Sequence, residues 1–567
     1  MPTSALSFLT TACLVLSGCA SAGNIELTPE MRFGTVVFED HKGPPVKLLP
    51  TGTYPFVQAL LERFDKEGAK DLTAFIDGFY REPGNEGYNA VMERVEHLLR
   101  AAGFGSKPGL EIEIINEPLG HRAWTPRSAS LRLMSRSGDE TLLSFDAKND
   151  LARTMLPSYS PSSNVRGPVC MDLDQLQEGQ ILVTDQPLGR AMRGAAKKGA
   201  AAVLSSWLPD FCIDPTGEER HLDAIRYGKV RPGTELPVAH ISPRVLERVR
   251  AELKKDEDIQ LHLRSDVEWH EHDVRTIIAR IVGREHADQS VAVAAHVQEP
   301  GANDNASGVS GLVTGAVALA GLIDGGHIEL PLRNLEMIWG DEMEMTRTYL
   351  KHTDHQVIAG FSSDMTGPSE ERTGAICLLE RSPDPGALVT LPPDEHTPWG
   401  AGRVKQEDLA PEGLALIARC ALADVAVMTG GWKTADHPWE GGSDHDVFLS
   451  QDIPAALLWH FTDFAYHTNL DRLNHIDIEE LRRTTAALLG AALAIADPEP
   501  ADLDRYLESM QLARRVRLKA AEEAEDEVLA QQWRDWFIGS RHWLRTLCLD
   551  LPRDAEPEAT DKENEDK

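Results

Sequence analysis

Imidazole and carboxylate side chains follow four predicted β-strands of this 567-residue sequence, each at the point where the strand ends. A single polar residue in such a place usually caps a helix or closes a turn. Four such junctions in one sheet would bring their side chains to the same edge, where zinc could take imidazole and carboxylate ligands together. The residues at these junctions are His296 and Asp304, Asp341 and Glu342, Asp364, and Tyr466 and His467.

Strands and helices alternate from residue 274 onward, and this alternation must position the junctions. It is typical of an α/β protein whose mixed, mostly parallel sheet carries helices on both faces. In such a sheet, ligands bind in the crevice beyond the carboxyl ends of the strands. Apolar runs predict strands at 275–281, 290–295, 335–339, 357–362 and 455–459, and helical periodicity predicts helices at 307–322, 342–351, 411–427 and 479–495.

The remainder of the chain divides into further units. A compact segment combines short strands with an alanine-rich helix, and the proline- and serine-rich stretch 157–163 before it is typical of a linker. A charged, tryptophan-bearing helical stretch after the sheet is assigned a packing role. The predicted division is a signal peptide at 1–19, an N-terminal segment at 25–160 that includes one helix of the main domain, a small α/β domain at 165–265, the main α/β domain at 270–500, a C-terminal helical extension at 501–550 and an acidic disordered tail at 551–567.

The first residues are similar to the leader of an exported bacterial lipoprotein. An apolar run at 5–16 is too short to span a bilayer and ends in Leu16-Ser17-Gly18-Cys19. We predict that cleavage leaves Cys19 as a lipidated N-terminus, which would anchor a periplasmic protein to the outer membrane. No Lys or Arg precedes Cys19, unlike the usual leader, and a buried N-terminal helix is the alternative.

Charge and cysteine content argue against other classes of function. The net charge of −33, with no basic stripe, argues against a nucleic-acid partner. The cysteines lack CxxC spacing, which argues against a cysteine zinc site. Cys170 and Cys212 fall in one predicted unit and could form a disulfide in an oxidising compartment.

The ordered set of junctions, from about residue 276 to 496, resembles metallopeptidase family twenty-eight, the co-catalytic di-zinc aminopeptidases. The small domain, with Leu-Pro-Val-Ala-His-Ile-Ser at 236–242, resembles the protease-associated domain that several members carry in the same order. The resemblance implies a zinc-dependent exopeptidase fold for the catalytic domain at 270–500. It further implies an aminopeptidase that hydrolyses peptide substrates with a water held between two Zn²⁺ ions, without an organic cofactor.

The resemblance also implies a metal-ligand set. His296 and Asp364 would hold one zinc ion, Glu342 and His467 would hold the other, and Asp304 would bridge them. This set leaves each ion an open position, and a bridging carboxylate keeps such a pair roughly 3.5 to 4 Å apart.

The catalytic base implied by the resemblance is Asp341, which is one methylene shorter than the glutamate of the family. A second alignment would make Glu342 the base and Glu344 the ligand. We prefer the first alignment, because Glu342 and Glu344 would point to different sides of a helix.

Three further residues surround the predicted ligands. Gln298 replaces an aspartate of many members; it could accept a hydrogen bond from an imidazole N–H but carries no charge. Tyr466 resembles a tyrosine that stabilises the oxyanion in some members, with a buried aromatic as the alternative. Adjacent Ser443, Asp444 and His445 cannot form a hydrolase triad, and we expect them to support the last zinc ligand.

Two other functions remain open at this point. A glutaminyl cyclase-like zinc acyltransferase uses one zinc, and the presence of both His296 and Asp364 argues against it. A non-catalytic receptor or binding module would not need the five-residue ligand set, although Asp341 and Gln298 slightly favour it. The sequence predicts neither the oligomeric state nor the residue preference.

Overall fold

The computed structural model of the protein describes residues 26–27, 46–47 and 51–549. The predicted leader with Cys19 and the predicted acidic tail at 551–567 lie outside these residues. The described part of the chain forms two large mixed sheets and 14 α-helices. This is the α/β architecture that the alternation of strands and helices predicts.

Most strands precede residue 300, and most of the long helices follow it. The strands are β1 (Glu26–Leu27), β2 (Val46–Lys47), β3 (Leu110–Pro118), β4 (Ala123–Ser135), β5 (Gly138–Phe145), β6 (Ser163–Cys170), β7 (Ile181–Thr184), β8 (Ala202–Ser205), β9 (Val238–His240), β10 (Gln260–His270), β11 (Asp273–Ile281), β12 (His286–His296), β13 (Arg333–Gly340), β14 (Gln356–Ser363), β15 (Ile376–Glu380), β16 (Thr434–His437) and β17 (Ala455–Phe461). The α-helices are α1 (Tyr54–Arg63), α2 (Lys66–Asp77), α3 (Glu86–Ala102), α4 (Leu188–Lys197), α5 (Pro243–Leu253), α6 (Ala306–Asp324), α7 (Glu344–His352), α8 (Glu370–Thr373), α9 (Pro385–Leu388), α10 (Leu414–Met428), α11 (His445–Leu449), α12 (Ile478–Ala496), α13 (Leu503–Glu523) and α14 (Glu527–Leu549).

The larger sheet orders its eight strands β16-β15-β17-β14-β12-β13-β11-β3. Its four central strands, from β17 to β13, run parallel to one another. Toward the edges, β15 pairs antiparallel with β17, β11 pairs antiparallel with β13, and β3 pairs antiparallel with β11. The sheet is therefore parallel where the four predicted junctions lie and mixed elsewhere.

Helices cover both faces of this sheet, which explains the unbroken apolar run in β12. Val291, Val293 and Ala295 belong to a core shared with α6, α10 and α12. Ala292 and Ala294 belong to a second core with α7 and α11 on the opposite face. Among the described residues only α6 is long and apolar enough to cross a membrane, and 83% of its apolar window is buried in the core.

The smaller sheet orders seven strands β5-β4-β10-β6-β7-β8-β9 and has its own core. β10 pairs with β4 along its whole length, so this sheet includes β4 and β5, which precede the predicted domain at 165–265. We refer to the part of the chain from β4 to β10 as the smaller domain and to the larger sheet with its helices as the larger domain. Cys170 and Cys212 are free thiols, contrary to the disulfide considered from the sequence. Cys170 Sγ lies near the Asp172 carbonyl, whereas Cys212 Sγ faces the carbonyl of Tyr466 in the larger domain.

Residues 157–160 of the stretch 157–163 are buried, whereas Ser162 is exposed. The Ser158 N–H donates to the Gly228 carbonyl at 2.8 Å, and the Ser158 hydroxyl donates to Glu82 at 2.5 Å. The Ser160 carbonyl accepts from the indole N–H of Trp124 at 2.9 Å. The first half of the stretch is therefore a packed connection whose backbone groups bond to the smaller sheet and its loops.

The C-terminal helices α13 and α14 pack against each other, and α13 also packs against α10 and α14 against α9. Trp533, Trp536 and Phe537 of α14 are buried, which agrees with a packing role. Arg517 of α13 donates to the buried carboxylate of Asp394, which belongs to a long loop of the larger domain. Charge pairing as well as apolar contact therefore attaches the extension.

A buried cluster of one carboxylate and two guanidinium groups links three segments that are distant in sequence. Asp77 at the end of α2 accepts from Arg153 Nη2 at 2.8 Å and from Arg472 Nε at 3.0 Å. Arg153 also donates to the Pro300 carbonyl at 2.5 Å. Burial alone would raise the pKa of Asp77, but the two guanidinium groups outweigh burial and hold that pKa below its ordinary value.

The Asp77→Asn variant is expected to destabilise the protein by about 3 kcal/mol at pH 7, because it leaves the buried Arg153 charge without its counter-ion. A depressed carboxylate pKa stabilises the fold above the ordinary pKa of about 4 and ceases to do so as the pH falls through the native value. The difference in melting temperature between wild type and variant should therefore narrow below pH 4. A difference that is constant from pH 7 to pH 3 would contradict this account.

Candidate metal centre

Four parallel strands bring the predicted junctions to one edge of the larger sheet. β12 ends at His296 itself, Asp364 follows β14 directly, and His467 lies in the loop after β17. Parallel neighbours end on the same side of a sheet, so these residues meet although far apart in sequence. The pocket at this edge, about 130 Å³ in volume, is lined by Glu299, Asp304, Glu342, Asp364, Met365, Trp399, Gly441, Gly442, Ser443, Leu457, Trp459, Tyr466 and His467.

The first cluster joins His296 with two carboxylates. His296 Nε2 lies 3.2 Å from Asp364 Oδ1 and 3.6 Å from Asp304 Oδ1. The carbonyl of Gln298 accepts from His296 Nδ1 at 3.0 Å, which leaves Nε2 aimed at the carboxylates. His296 Nε2 and Asp364 Oδ1 are buried and have no hydrogen-bond partner among the described residues. Buried nitrogen and oxygen atoms without hydrogen-bond partners are suited to bind a metal ion.

The second cluster lies around His467. Its Nε2 lies 2.6 Å from Glu299 Oε2 and 3.0 Å from Asp304 Oδ2. Glu299 Oε2 is buried and, within the described chain, lacks a partner with hydrogen-bond geometry. Asp304 therefore turns one oxygen toward each cluster, in the position that the resemblance implies for the bridging ligand.

Negative charge accumulates at this edge of the sheet. Burial and, after it, the Glu299 carboxylate raise the pKa of Asp304 well above its ordinary value. Burial likewise raises the pKa of Glu342 to about 8. A divalent cation would offset this charge and take the place of the protons, so the donor atoms and the electrostatics both fit a metal.

Glu299 is the residue of this site that the sequence analysis missed. It lies between His296 and Asp304, in a loop where its backbone adopts a φ of 87°. Neither strand nor helix periodicity extends into this loop, so no pattern distinguishes Glu299 from an ordinary loop acid. The one sequence feature that could have indicated Glu299 is that it stands with His296 and Asp304, as a third acidic or imidazole residue in one short connection.

Gln298 has a different role from the one expected. Its side-chain oxygen accepts from the Glu342 N–H at 2.8 Å, and its Nε2 donates to Glu342 Oε2 at 2.9 Å. It is the backbone carbonyl of Gln298, not its side chain, that binds the imidazole of His296. The Gln298 amide thus holds Glu342 at the pocket wall.

The two residues considered as alternatives to Glu342 lie in different surroundings. Asp341 is partly buried and is not among the lining residues of the described pocket. Burial raises the pKa of Asp341 to about 7, partly opposed by Lys229. Glu344 is exposed and pairs with Arg347 one helical turn later at 2.5 Å. Glu344 does not line the pocket and is therefore not placed to be the metal ligand that the second alignment requires.

Tyr466 forms part of an aromatic wall beside the second cluster. Its ring stacks on the His467 imidazole with centroids 3.9 Å apart, and it packs edge-on against Trp399 at 5.6 Å. Burial and the carboxylate of Asp304 raise the pKa of its hydroxyl far above the ordinary value. Tyr466 therefore stays protonated and can donate a hydrogen bond into the pocket.

Ser443 and Asp444 form hydrogen bonds with residues other than His467, the zinc ligand that the triplet 443–445 was expected to support. Ser443 Oγ donates to Asp364 Oδ2 at 2.9 Å. Asp444 Oδ1 accepts from the Met343 N–H and the Thr346 hydroxyl, both at 2.8 Å, and so fixes the start of α7. None of these bonds reaches His467, because β17 separates the triplet from the loop that carries it.

A third histidine and carboxylate cluster, around His437, does not fit a metal ion. Glu380 and Glu440 lie nearby, at 3.9 Å and 3.5 Å from its two nitrogens. However, His437 Nε2 already accepts from the indole of Trp459 at 2.9 Å, and Nδ1 donates to the Pro438 carbonyl at 2.8 Å. Its lone pair is therefore in use.

The smaller domain closes one side of the candidate metal centre. The Tyr227 N–H donates to the His467 carbonyl at 2.6 Å, and the Tyr227 ring packs edge-on against the imidazole at 5.3 Å. Lys229 Nζ lies 3.9 Å from Glu299 Oε1. Residues of both domains thus form the site.

Addition of Zn²⁺ to the metal-free protein is expected to raise its melting temperature, because the ion binds the folded carboxylate clusters and not the unfolded chain. Free metal at 100 times its Kd would add about 2.7 kcal/mol of stability. Asp304→Asn should lose most of this increase, and the exposed Asp354→Asn should retain it. Scanning calorimetry measures both, and an unchanged wild-type melting temperature would contradict a metal site.

Comparison with solved structures identifies the fold. The peptidase M28 precursor from Shewanella amazonensis matches with a TM-score of 0.53 at 18% identity, over 78% of this chain and 97% of that one. The zinc aminopeptidase from Bacillus subtilis (TM-score 0.49, 16% identity, 76% and 94% covered) and the aminopeptidase from Aneurinibacillus sp. strain AM-1 (0.47, 19%, 78% and 96%) are less similar in structure. No family model and no curated protein matches the sequence. The chain has the fold of the M28 peptidase precursor.

Proposed function

We propose that this protein is a metal-dependent exopeptidase, and specifically a di-zinc aminopeptidase. The observation that carries the proposal is the pair of clusters that share Asp304, each with an imidazole Nε2 close to carboxylate oxygens. The fold in common with a peptidase supports the reaction class. A receptor or binding module would have no need for buried donor atoms without partners.

The residues present would hold two zinc ions. His296, Asp304 and Asp364 would bind one ion, and Asp304, His467 and Glu299 would bind the other. Zinc, when bound, supplies a Lewis acid that polarises a peptide carbonyl and makes water more acidic. Glu299 belongs to this set because its Oε2 lies 2.6 Å from His467 Nε2, closer than the Asp304 oxygen at 3.0 Å.

This ligand set leaves Glu342 available as the proton acceptor. Glu342 lines the pocket and is oriented by Gln298, whereas Asp341 does not line it. Glu342 would take a proton from the attacking water and return it to the leaving amine. The hydroxyl of Tyr466 would donate to the carbonyl oxygen as it gains charge. Compared with the resemblance, this assignment moves the role of base from Asp341 to Glu342 and the ligand role of Glu342 to Glu299.

Metal analysis and a substrate panel test the reaction class. We expect two zinc ions per chain, and hydrolysis of aminoacyl amides with a free α-amino group but not of their N-acetylated forms. Elemental analysis and amine release measure these quantities. Cyclisation of an N-terminal glutamine peptide without hydrolysis would instead support the acyltransferase.

Matched carboxylate variants test the residue roles. Glu342→Gln is expected to retain both metals and to lower kcat about 10²- to 10⁴-fold, because it removes only the proton acceptor. Glu299→Gln should lose one metal. The exposed Glu344→Gln serves as the control and should change neither quantity.

The opposite assignment has a different signature. If Glu342→Gln lost a metal while Asp341→Asn kept both and lost turnover, Glu342 would be the ligand and Asp341 the base. Metal content and turnover of the same preparations therefore separate the two assignments.

A further inference from the structure

A basic cleft lies in the smaller domain beside the candidate metal centre. It measures about 570 Å³, within the range of roughly 300 to 1,000 Å³ that is usual for small-molecule sites. Arg193, Arg226, Lys229 and Arg231 line it, and no lining residue of this cleft, all within the described chain, is acidic. This composition is unexpected in a chain with 90 acidic and 57 basic residues.

Arg226 is a partly buried cation of this cleft. Its guanidinium carbon lies 4.9 Å from the centroid of the Trp207 ring, so the aromatic face supports the group from one side. Its Nη1 is buried and has no hydrogen-bond partner among the described residues. A guanidinium held by stacking, with an N–H left unused, is prepared to bind a carboxylate.

The cleft adjoins the metal centre. The backbone of Arg226 forms a β-bridge with Thr468, the residue after His467. Lys229, which lines the cleft, lies 3.9 Å from Glu299 Oε1, which lines the metal pocket. One segment of the smaller domain, residues 226–231, thus borders both spaces.

The metal pocket and the basic cleft are lined by different kinds of side chain, and this difference would orient a bound peptide. The metal pocket has an apolar, aromatic wall of Leu457, Trp459 and Tyr466, without a basic lining residue other than histidine in the described chain. The cleft combines cations with the apolar surface of Leu188, Trp207 and neighbouring residues. A neutral or apolar N-terminal residue suits the first space, and a carboxylate suits the second.

We propose that the cleft binds the free C-terminal carboxylate of short peptide substrates, so that the enzyme selects small peptides over longer or C-terminally blocked ones. This proposal rests on the proposed exopeptidase function. Arg226 binds the carboxylate, and Lys229 and Arg231 add favourable charge at the cleft rim. The apolar wall contacts the residues on the leaving side of the cleaved bond.

A matched pair of tripeptides, Leu-Ala-Ala with a free carboxylate and its C-terminal amide, tests this selection. The wild type is expected to show a KM about tenfold lower for the acid, which corresponds to one charge-assisted hydrogen bond. Arg226→Met should remove this preference, so that the KM values for the acid and the amide become equal. Arg226→Lys should restore part of it.

Two further variants check that the effect of Arg226→Met comes from the cleft. Arg231→Met alters an exposed cleft residue, so it should reduce the preference without affecting folding. Arg190→Met removes an equal charge from α4, the helix that carries the cleft residue Arg193, but Arg190 lies outside the cleft and its variant should keep the full preference. Melting temperatures of all variants check that the fold is intact.

A binding measurement separates this proposal from the proposed function. The same tripeptide pair with a reduced, non-cleavable first peptide bond is titrated calorimetrically into wild type and Arg226→Met. Tighter binding of the acid to wild type only supports the cleft, whether or not the protein hydrolyses peptides. Equal binding of acid and amide to wild type overturns the cleft proposal, even if both peptides are cleaved. Absence of hydrolysis of either tripeptide overturns the proposed function alone.

Discussion

The carboxylate of Asp304 is the point on which the rest of this structure depends, because it is shared by two histidines that approach from different strands. For Asp304 to contact both histidines, the loop that carries it has to be held in one position. The backbone N–H groups of Asn303 and Asp304 both donate to Asp471, at 2.7 and 2.9 Å. Arg81 donates to the carbonyls of Val297 at 2.9 Å and Gly301 at 2.7 Å. The loop is thus fixed at both ends by buried charged groups.

These supports come from outside the sheet that carries the ligands. Arg81 follows α2, and Arg153, which binds the Pro300 carbonyl, lies beyond β5 of the smaller domain. The loop that carries Asp304 is therefore held through its backbone carbonyls by two arginines from outside the sheet. Because these groups are deeply buried and paired, removal of one partner leaves an uncompensated charge.

The sequence predicted the central architecture well, since apolar runs such as β12 are buried on both faces and cannot be mistaken for loops. It also predicted that His296, Asp304, Asp364 and His467 would meet at one edge of the sheet, because they follow strands that run parallel, and the structure brings them together there. Their role as metal ligands stays a prediction. Glu299 could not be predicted, because its position depends on the path of an irregular loop. The extent of the smaller sheet was missed for a related reason: β4 and β10 pair across more than a hundred residues, and no local pattern reports that pairing.

The contact between Tyr227 and His467 has a consequence for which substrates can enter. Tyr227 is almost fully buried, and its N–H is bonded to the carbonyl of a proposed metal ligand. The smaller domain cannot swing away without breaking this bond and disturbing the loop that carries His467. Movement of the domain and the geometry of a proposed metal ligand are therefore coupled, so a substrate has to fit the space that this contact leaves.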